Sequence, residues 1–192
     1  MQKNNKLVYG VGVNDADYAI SSAVNGGRVM CSFYQSWNSM LGRCYSYKYQ
    51  ASKPSYKGCK AAPEWLTFMN FKYWMMDQDW KGKQLDKDLL IPGNKIYSPD
   101  TCCFVSRAVN AFLTDHSADR GEWPVGVSLQ KNGKFRAYCS NPFTKKVDHL
   151  GTFSCPEEAY LAWRRKKHDH AIGLSEMQTD ERVKAALIAR YQ

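Results

Sequence analysis

Residues 123–163 read WPVGVSLQKNGKFRAYCSNPFTKKVDHLGTFSCPEEAYLAW, and their alternation decides the fold of the second half of the chain. In 125–130, Val125, Val127 and Leu129 alternate with Gly126, Ser128 and Gln130. That period of two puts successive side chains on opposite faces of a strand. Lys131, Asn132 and Gly133 follow, and an Asn-Gly pair between alternating runs is a strong hairpin signal. KFRAYCS (134–140) alternates again, with Phe135, Ala137 and Cys139 on one face and Arg136, Tyr138 and Ser140 on the other. After the loop NPFTKK comes a third strand, VDHLGTF (147–153). Ser154, Pro156, Glu157 and Glu158 then open a helix whose first-turn acids suit its N-terminal partial positive charge. The basic run RRKK (164–167) is expected near the C-terminal end of that helix, where cations are favoured. Residues 123–171 therefore predict three antiparallel strands backed by one helix. A last helix over about 176–191, within segment 175–192, carries a weak stripe of Val183, Leu187 and Tyr191.

A three-stranded sheet covered by one helix keeps one free face. Alternation assigns Ser128, Gln130, Arg136, Tyr138, Ser140 and His149 to it, with Asn132 and Lys134 at the hairpin tip and Lys145 and Lys146 in the next loop. These amides, hydroxyls and the guanidinium match the donors and acceptors of base edges, and a narrow sheet fits a major groove. The lysines suit phosphates, which fix position without specifying sequence. The bland alternative is a solvated polar face with no ligand.

The pieces GV (126–127), GKFRA (133–137), HLGTF (149–153) and PEEAYLAW (156–163), with their spacing, resemble the Apetala/ethylene-response-factor type DNA-binding domain. The resemblance covers about a quarter of the chain. It implies double-stranded DNA as partner and contacts at Ser128, Gln130, Asn132, Arg136, Tyr138, Ser140 and His149. Plant members carry several Arg and Trp on that face; Arg136 is what this sequence keeps.

Composition agrees with a polyanionic partner. The 192 residues hold 27 Lys and Arg against 18 Asp and Glu, a net charge of +9. At 44% apolar and 14% aromatic the chain can pack a core, which excludes wholesale disorder. No run of eighteen apolar residues exists, and the start MQKNNKLVYGVGV does not read as a secretory signal. A cytoplasmic protein is expected, in the host cell if the gene is phage-borne. The seven cysteines (Cys31, Cys44, Cys59, Cys102, Cys103, Cys139 and Cys155) are odd in number and form no CxxC pair, as in a reduced set of mostly buried thiols.

The first half, 1–113, reads as a helical, aromatic-rich domain, with a polar seam at 114–122. Residues 7–13 suggest a short strand broken by Gly10 and Gly12. Ser36 is a candidate cap for a helix with Trp37, Met40, Leu41 and Cys44 inside. Pro63 suits the first turn of a second helix with Trp65, Phe68, Phe71 and Met75 inside. Ser98, Pro99 and Asp100 are expected to open a third, burying Phe104, Val105, Val109 and Phe112. The fold class is thus α+β.

LDKDLLIPGNKIYSPDTCCFVSRAVN (85–110) resembles the closing part of an HNH nuclease motif of phage and mobile-element proteins. SWNSMLGRCY (36–45) and PEWLTFMNFKYW (63–74) resemble the segments preceding it. The resemblance implies homing-endonuclease ancestry and puts Asp86, Lys87, Asn94 and Asn110 at the motif positions, with Lys87 where the general-base His belongs. A lysine titrates near 10.4 and is protonated at neutral pH, so ordinary general-base hydrolysis is not expected. Magnesium, for which Asp86 and Asp88 are candidates, enters only if the domain is a nuclease. A structural zinc at Cys44, Cys59 and Cys102 or Cys103 is not expected, because such sites show close Cys pairs. His116, His149, His168 and His170 lie outside this half, and His168 and His170 read as surface residues rather than a metal pair. The competing functions are an active metal-dependent endonuclease, a module for an acidic host protein, and an RNA binder.

Overall fold

The first three elements already separate exposed from buried chain. In a computed structural model that describes residues 7–114 and 122–192, Ser21–Val24 (β1) and Gly27–Met30 (β2) form an antiparallel hairpin. Its tip, Asn25 and Gly26, has φ of +49° and +77°, the left-handed pair of a two-residue turn. Ser32–Tyr45 (α1) follows and buries Tyr34, Trp37, Met40, Leu41 and Cys44 on one face. The expected apolar stripe is there, but the helix begins at Ser32, so Ser36 lies inside it rather than capping it. Tyr47–Ser52 (α2) is capped by Ser46, whose hydroxyl accepts from Tyr49 N–H.

Lys60–Ala61 (β3) leads to a 3-10 turn, Pro63–Leu66, and then to Phe68–Met76 (α3). Pro63 thus opens the tighter turn, and the α-helix starts at Phe68. Trp37, Trp65, Phe68 and Phe71 form the centre of the core, and the buried Trp37 indole donates to Trp65 O at 2.7 Å. Gln84–Asp86 (β4), Ile96–Tyr97 (β5) and Cys103–Val105 (β6) complete the small strands; β5 pairs with β3 in parallel, and β6 with β4.

Two expectations fail in this region. Residues 7–13 form no strand. Val8 and Gly12 exchange backbone hydrogen bonds of 2.8 and 2.9 Å around a tight turn, and Val13 bridges to the chain at Thr67. Gly12 sits flush on the core: a Cβ there would stand 2.4 Å from Leu41 Cδ1. The third helix does not open at Ser98. Cys103, Phe104 and Val105 are a strand buried on both faces, whose continuous apolar run hides its period. Arg107–Leu113 (α4) begins after it, capped by the Ser106 hydroxyl accepting from Val109 N–H at 3.2 Å.

The chain divides into two units, Met1–Phe104 and Val105–Gln192, so α4 counts with the second. Apart from Thr114 and Glu122, the seam at 114–122 lies outside the described residues, as does His116. In the second unit, Val127–Leu129 (β7), Phe135–Ser140 (β8) and Val147–Phe153 (β9) form an antiparallel sheet in that order. Pro156–Glu176 (α5) packs on it with Ala159, Trp163, His170, Ala171 and Leu174 buried, and Glu181–Ala189 (α6) closes the unit with Val183 and Leu187. Because α5 runs to Glu176, the RRKK run lies mid-helix, not at the C-terminal end. Lys167 there donates to Phe112 O at 2.7 Å and stands 3.6 Å from the Phe112 ring centre, tying α4 to α5 through a cation–π contact. Gly126, with φ +75°, lets the strand entry lie against α5: a Cβ would fall 2.0 Å from Trp163 Cδ1. No helix among the described residues is long and apolar enough to cross a membrane.

Candidate nucleic-acid interface

Register defines the outer face of the sheet. Partners in an antiparallel ladder point to the same side, so pairing rather than sequence distance sets each row. Val127, Ala137 and Gly151 form one inward row against α5; Phe135 and Phe153 form another, with Leu129 on the same side but exposed at the sheet edge. Between them Ser128, Arg136 and Thr152 make an outward row across all three strands. Tyr138 pairs with His149 and Ser140 with Val147, adding two further outward pairs. Arg136 and Ser140 are exposed and Tyr138 half-buried. The Arg136 guanidinium lies 5.7 Å from the Tyr138 ring centre, which restrains it above the face.

Thr152 was missed by alternation. Counting by twos from His149 puts Gly151 and Phe153 outward and Thr152 inward. The register shifts between Ala137 and Tyr138, where Leu150 is an extra residue in β9 and Gly151 has φ +127°. Leu150 packs with the helix-side core instead. The signal was Gly151 itself, since an isolated glycine inside a strand marks a bulge.

Gln130, Asn132 and Lys134 belong to the turn between β7 and β8. Gln130 N–H donates to Lys134 O at 2.8 Å, Gly133 N–H to Gln130 O at 3.0 Å, and Asn132 Oδ1 accepts from Lys134 N–H at 3.1 Å. Asn132 therefore spends its carboxamide oxygen on the turn. Asn132, Lys134, Lys145 and Lys146 are exposed; Lys145 adopts φ +61° in the β8–β9 loop.

Beneath that loop lies a polar cluster that the sequence reading did not anticipate. His170, taken as a surface residue, is 4% exposed; its Nδ1 is 3.7 Å from Cys139 Sγ and its Nε2 3.2 Å from Asp148 Oδ2, too oblique for an aligned hydrogen bond. Burial, and then the Lys166 ammonium, pull the His170 imidazole below its ordinary pKa, against the opposing pull of Asp148. His168, half-buried, also has a buried Nδ1 without a hydrogen bond.

The nuclease-like positions form a different kind of site. Lys87 is 6% exposed, and its Nζ donates to Asn94 O at 2.9 Å and to Asp88 Oδ2 at 3.0 Å. Asn94 Nδ2 donates back to Lys87 O at 2.6 Å and to Ile96 O at 2.7 Å. Asp86 Oδ1 accepts from Asp88 and Leu89 N–H, and burial followed by the neighbouring Asp88 raises its pKa. The structure thus brings Asp86, Lys87 and Asn94 together, while Asn110 stands on α4 in the second unit. Chemically, Lys87 is a buried ammonium holding a loop shut, and Asp88 is engaged with that ammonium. Cys44, Cys59 and Cys102 share one core cluster, and burial pushes the Cys44 and Cys102 thiols up to about 12. Among the described residues no group of three His, Cys, Asp or Glu is arranged to hold a metal ion.

Over 49 residues the chain is 45% identical to an ethylene-responsive transcription factor of Arabidopsis thaliana, covering 26% of this chain and 17% of that protein. No protein-family model and no solved structure matches the chain.

Proposed function

We propose that this protein binds double-stranded DNA through the outer face of the β7–β8–β9 sheet. The observation that carries the reading is the row Ser128–Arg136–Thr152, two hydroxyls flanking one guanidinium on the face turned away from α5. In this reading Arg136 reads a base edge, Ser128, Tyr138, Ser140, His149 and Thr152 contact bases or backbone beside it, and Lys134, Lys145 and Lys146 take phosphates. The local likeness to a transcription factor and the net charge of +9 support it. Gln130 and Asn132 act by shaping the hairpin tip.

The first unit is read as an HNH-derived scaffold, of phage or mobile-element homing-endonuclease ancestry, without standard hydrolysis. What supports the absence of standard hydrolysis is Lys87, which stands where the general base belongs and whose Nζ is committed as donor to Asn94 O and Asp88 Oδ2. Incubating the protein and a plasmid with magnesium or manganese is expected to leave the plasmid intact; nicking that disappears in Asp86→Ala overturns the reading.

For the DNA interface, Arg136→Ala is expected to weaken duplex binding by about 1–3 kcal/mol. A gel-shift affinity unchanged by that substitution removes the base-reading role of Arg136. RNA duplexes and an acidic protein ligand serve as competitors; displacement of DNA by RNA at equal concentration sinks the DNA preference.

A further inference from the structure

The loop carrying Lys145 and Lys146 is built around one side chain. Asn141 N–H donates to Lys146 O at 2.8 Å and Asn141 O accepts from Lys145 N–H at 3.0 Å, closing the turn. Asn141 Oδ1 accepts from Phe143 N–H at 3.0 Å and Thr144 N–H at 3.1 Å. Its Nδ2 is then left to face the sheet, where it meets both carboxylate oxygens of Asp148 at 3.3 and 3.1 Å. Asp148 is inward-facing in β9, opposite Cys139; from α5 the Lys166 ammonium pairs with it at 3.7 Å and the His170 ring stands beside it, Nε2 at 3.2 Å. Phe143 adds an apolar anchor, edge-on to His170 and over Gly173, where a Cβ would meet its ring at 2.9 Å. Lys145 at φ +61° is a conformation that a non-glycine residue keeps only when its surroundings hold it.

We propose that Asp148 is a positioning residue for DNA binding: through Asn141 it holds the 141–146 turn so that Lys145 and Lys146 meet the phosphates together. The inference rests on the DNA reading above. It also makes a prediction with an unexpected sign. Simple electrostatics says that removing a carboxylate beside a polyanion site tightens binding. If Asp148 acts through the loop, removing it weakens binding, because two cations lose their common geometry.

The test is fluorescence anisotropy of the full chain against a labelled duplex pool of randomised sequence, across a potassium chloride series. Wild type gives a slope of log affinity on log salt. Asp148→Ala is expected to bind more weakly at low salt, with a slope shallower by about 2, so that a fourfold rise in salt costs about tenfold less affinity than in wild type. Its effect is expected to vanish in a Lys145→Ala/Lys146→Ala background, which a general loss of structure does not do. Should Asp148→Ala fail to fold by circular dichroism, Asn141→Ala breaks the same link from the loop side and must reproduce the shallower slope. Tighter binding with an unchanged slope, or an equal loss in both backgrounds, overturns the inference and leaves the DNA reading standing. Absence of binding by the wild type overturns both.

Discussion

Asn25-Gly26 and Asn132-Gly133 each reverse the chain into an antiparallel hairpin, yet the two hairpins differ in geometry and surroundings. In the first, both turn residues are left-handed and Val24 pairs directly with Gly27, a two-residue turn. In the second only Gly133 is left-handed, at φ +77°, and Gln130 closes on Lys134, a longer turn ending in a glycine bulge. Around the first, β1 and β2 are exposed at all but one position; around the second, β8 alternates buried and exposed under α5. The dipeptide dictates a reversal. Whether that reversal becomes part of a fold depends on whether the strands have a face to bury.

The contrast can be broken most severely at the seat of α5. Gly126→Ala puts a methyl into the Trp163 ring and forces a side chain into a left-handed backbone. Overpacking and strain together are expected to cost about 3 kcal/mol or more in the second unit. Hydrogen exchange should report this as lost protection in β7, β8 and β9 with α3 unchanged; a variant whose sheet exchanges like wild type refutes the role of that contact.

A gentler pair compares the turns directly. Gly26→Ala and Gly133→Ala act at positions of equal φ, +77°, with open space around the added methyl. Each is expected to cost about 1–2 kcal/mol locally. Only Gly133→Ala should weaken duplex binding, since it displaces Lys134 and the start of β8. Equal effects of the two on affinity would mean that the β1–β2 hairpin also touches DNA.

Acid is the mildest probe. The folded state lowers the pKa of His170, so the unfolded chain binds that proton more readily, and this contribution to stability is lost as pH falls below about 6.5. Asp86 goes the other way: its raised pKa makes the folded state bind the proton more readily, so its contribution improves as pH falls toward about 3.8. Replacing His170 with Gln should flatten the decline of the second unit as pH falls below about 6.5, and Asp86→Asn should flatten the opposite trend in the first. Unaltered pH profiles in both variants contradict the assignments.

Legibility followed burial. The sheet of the second unit could be read because Phe135, Ala137 and Cys139 alternate cleanly with Arg136, Tyr138 and Ser140. The stretch SSAVNGGRVM carries the same turn signal but no alternation, and its hairpin was passed over. In the first half the core residues Trp37, Met40, Leu41, Trp65, Phe68, Phe71 and Met75 were legible from helical spacing. The strand Cys103–Val105 was not, because a segment buried on both faces shows no period. On the outer face of the sheet, the placement of Arg136 and Tyr138 was legible from pattern alone. Thr152 was lost to the extra residue at Leu150, and the Cys139–His170–Asp148 cluster because His170 reads as a surface residue near the end of a basic helix, whereas α5 runs on to Glu176 and buries it.

The bulge at Leu150–Gly151 also changes what may be transplanted between sheets of this shape. It resets the parity of β9, so Thr152 and His149 both look outward although an odd number of positions, three, separates them. Keeping Leu150 but pairing β9 as a regular strand without the bulge would turn Phe153 outward and Thr152 toward α5, whereas a third strand lacking Leu150 altogether would keep both on their present faces. Any redesign of the specificity of this face has to copy ladder partners rather than aligned letters.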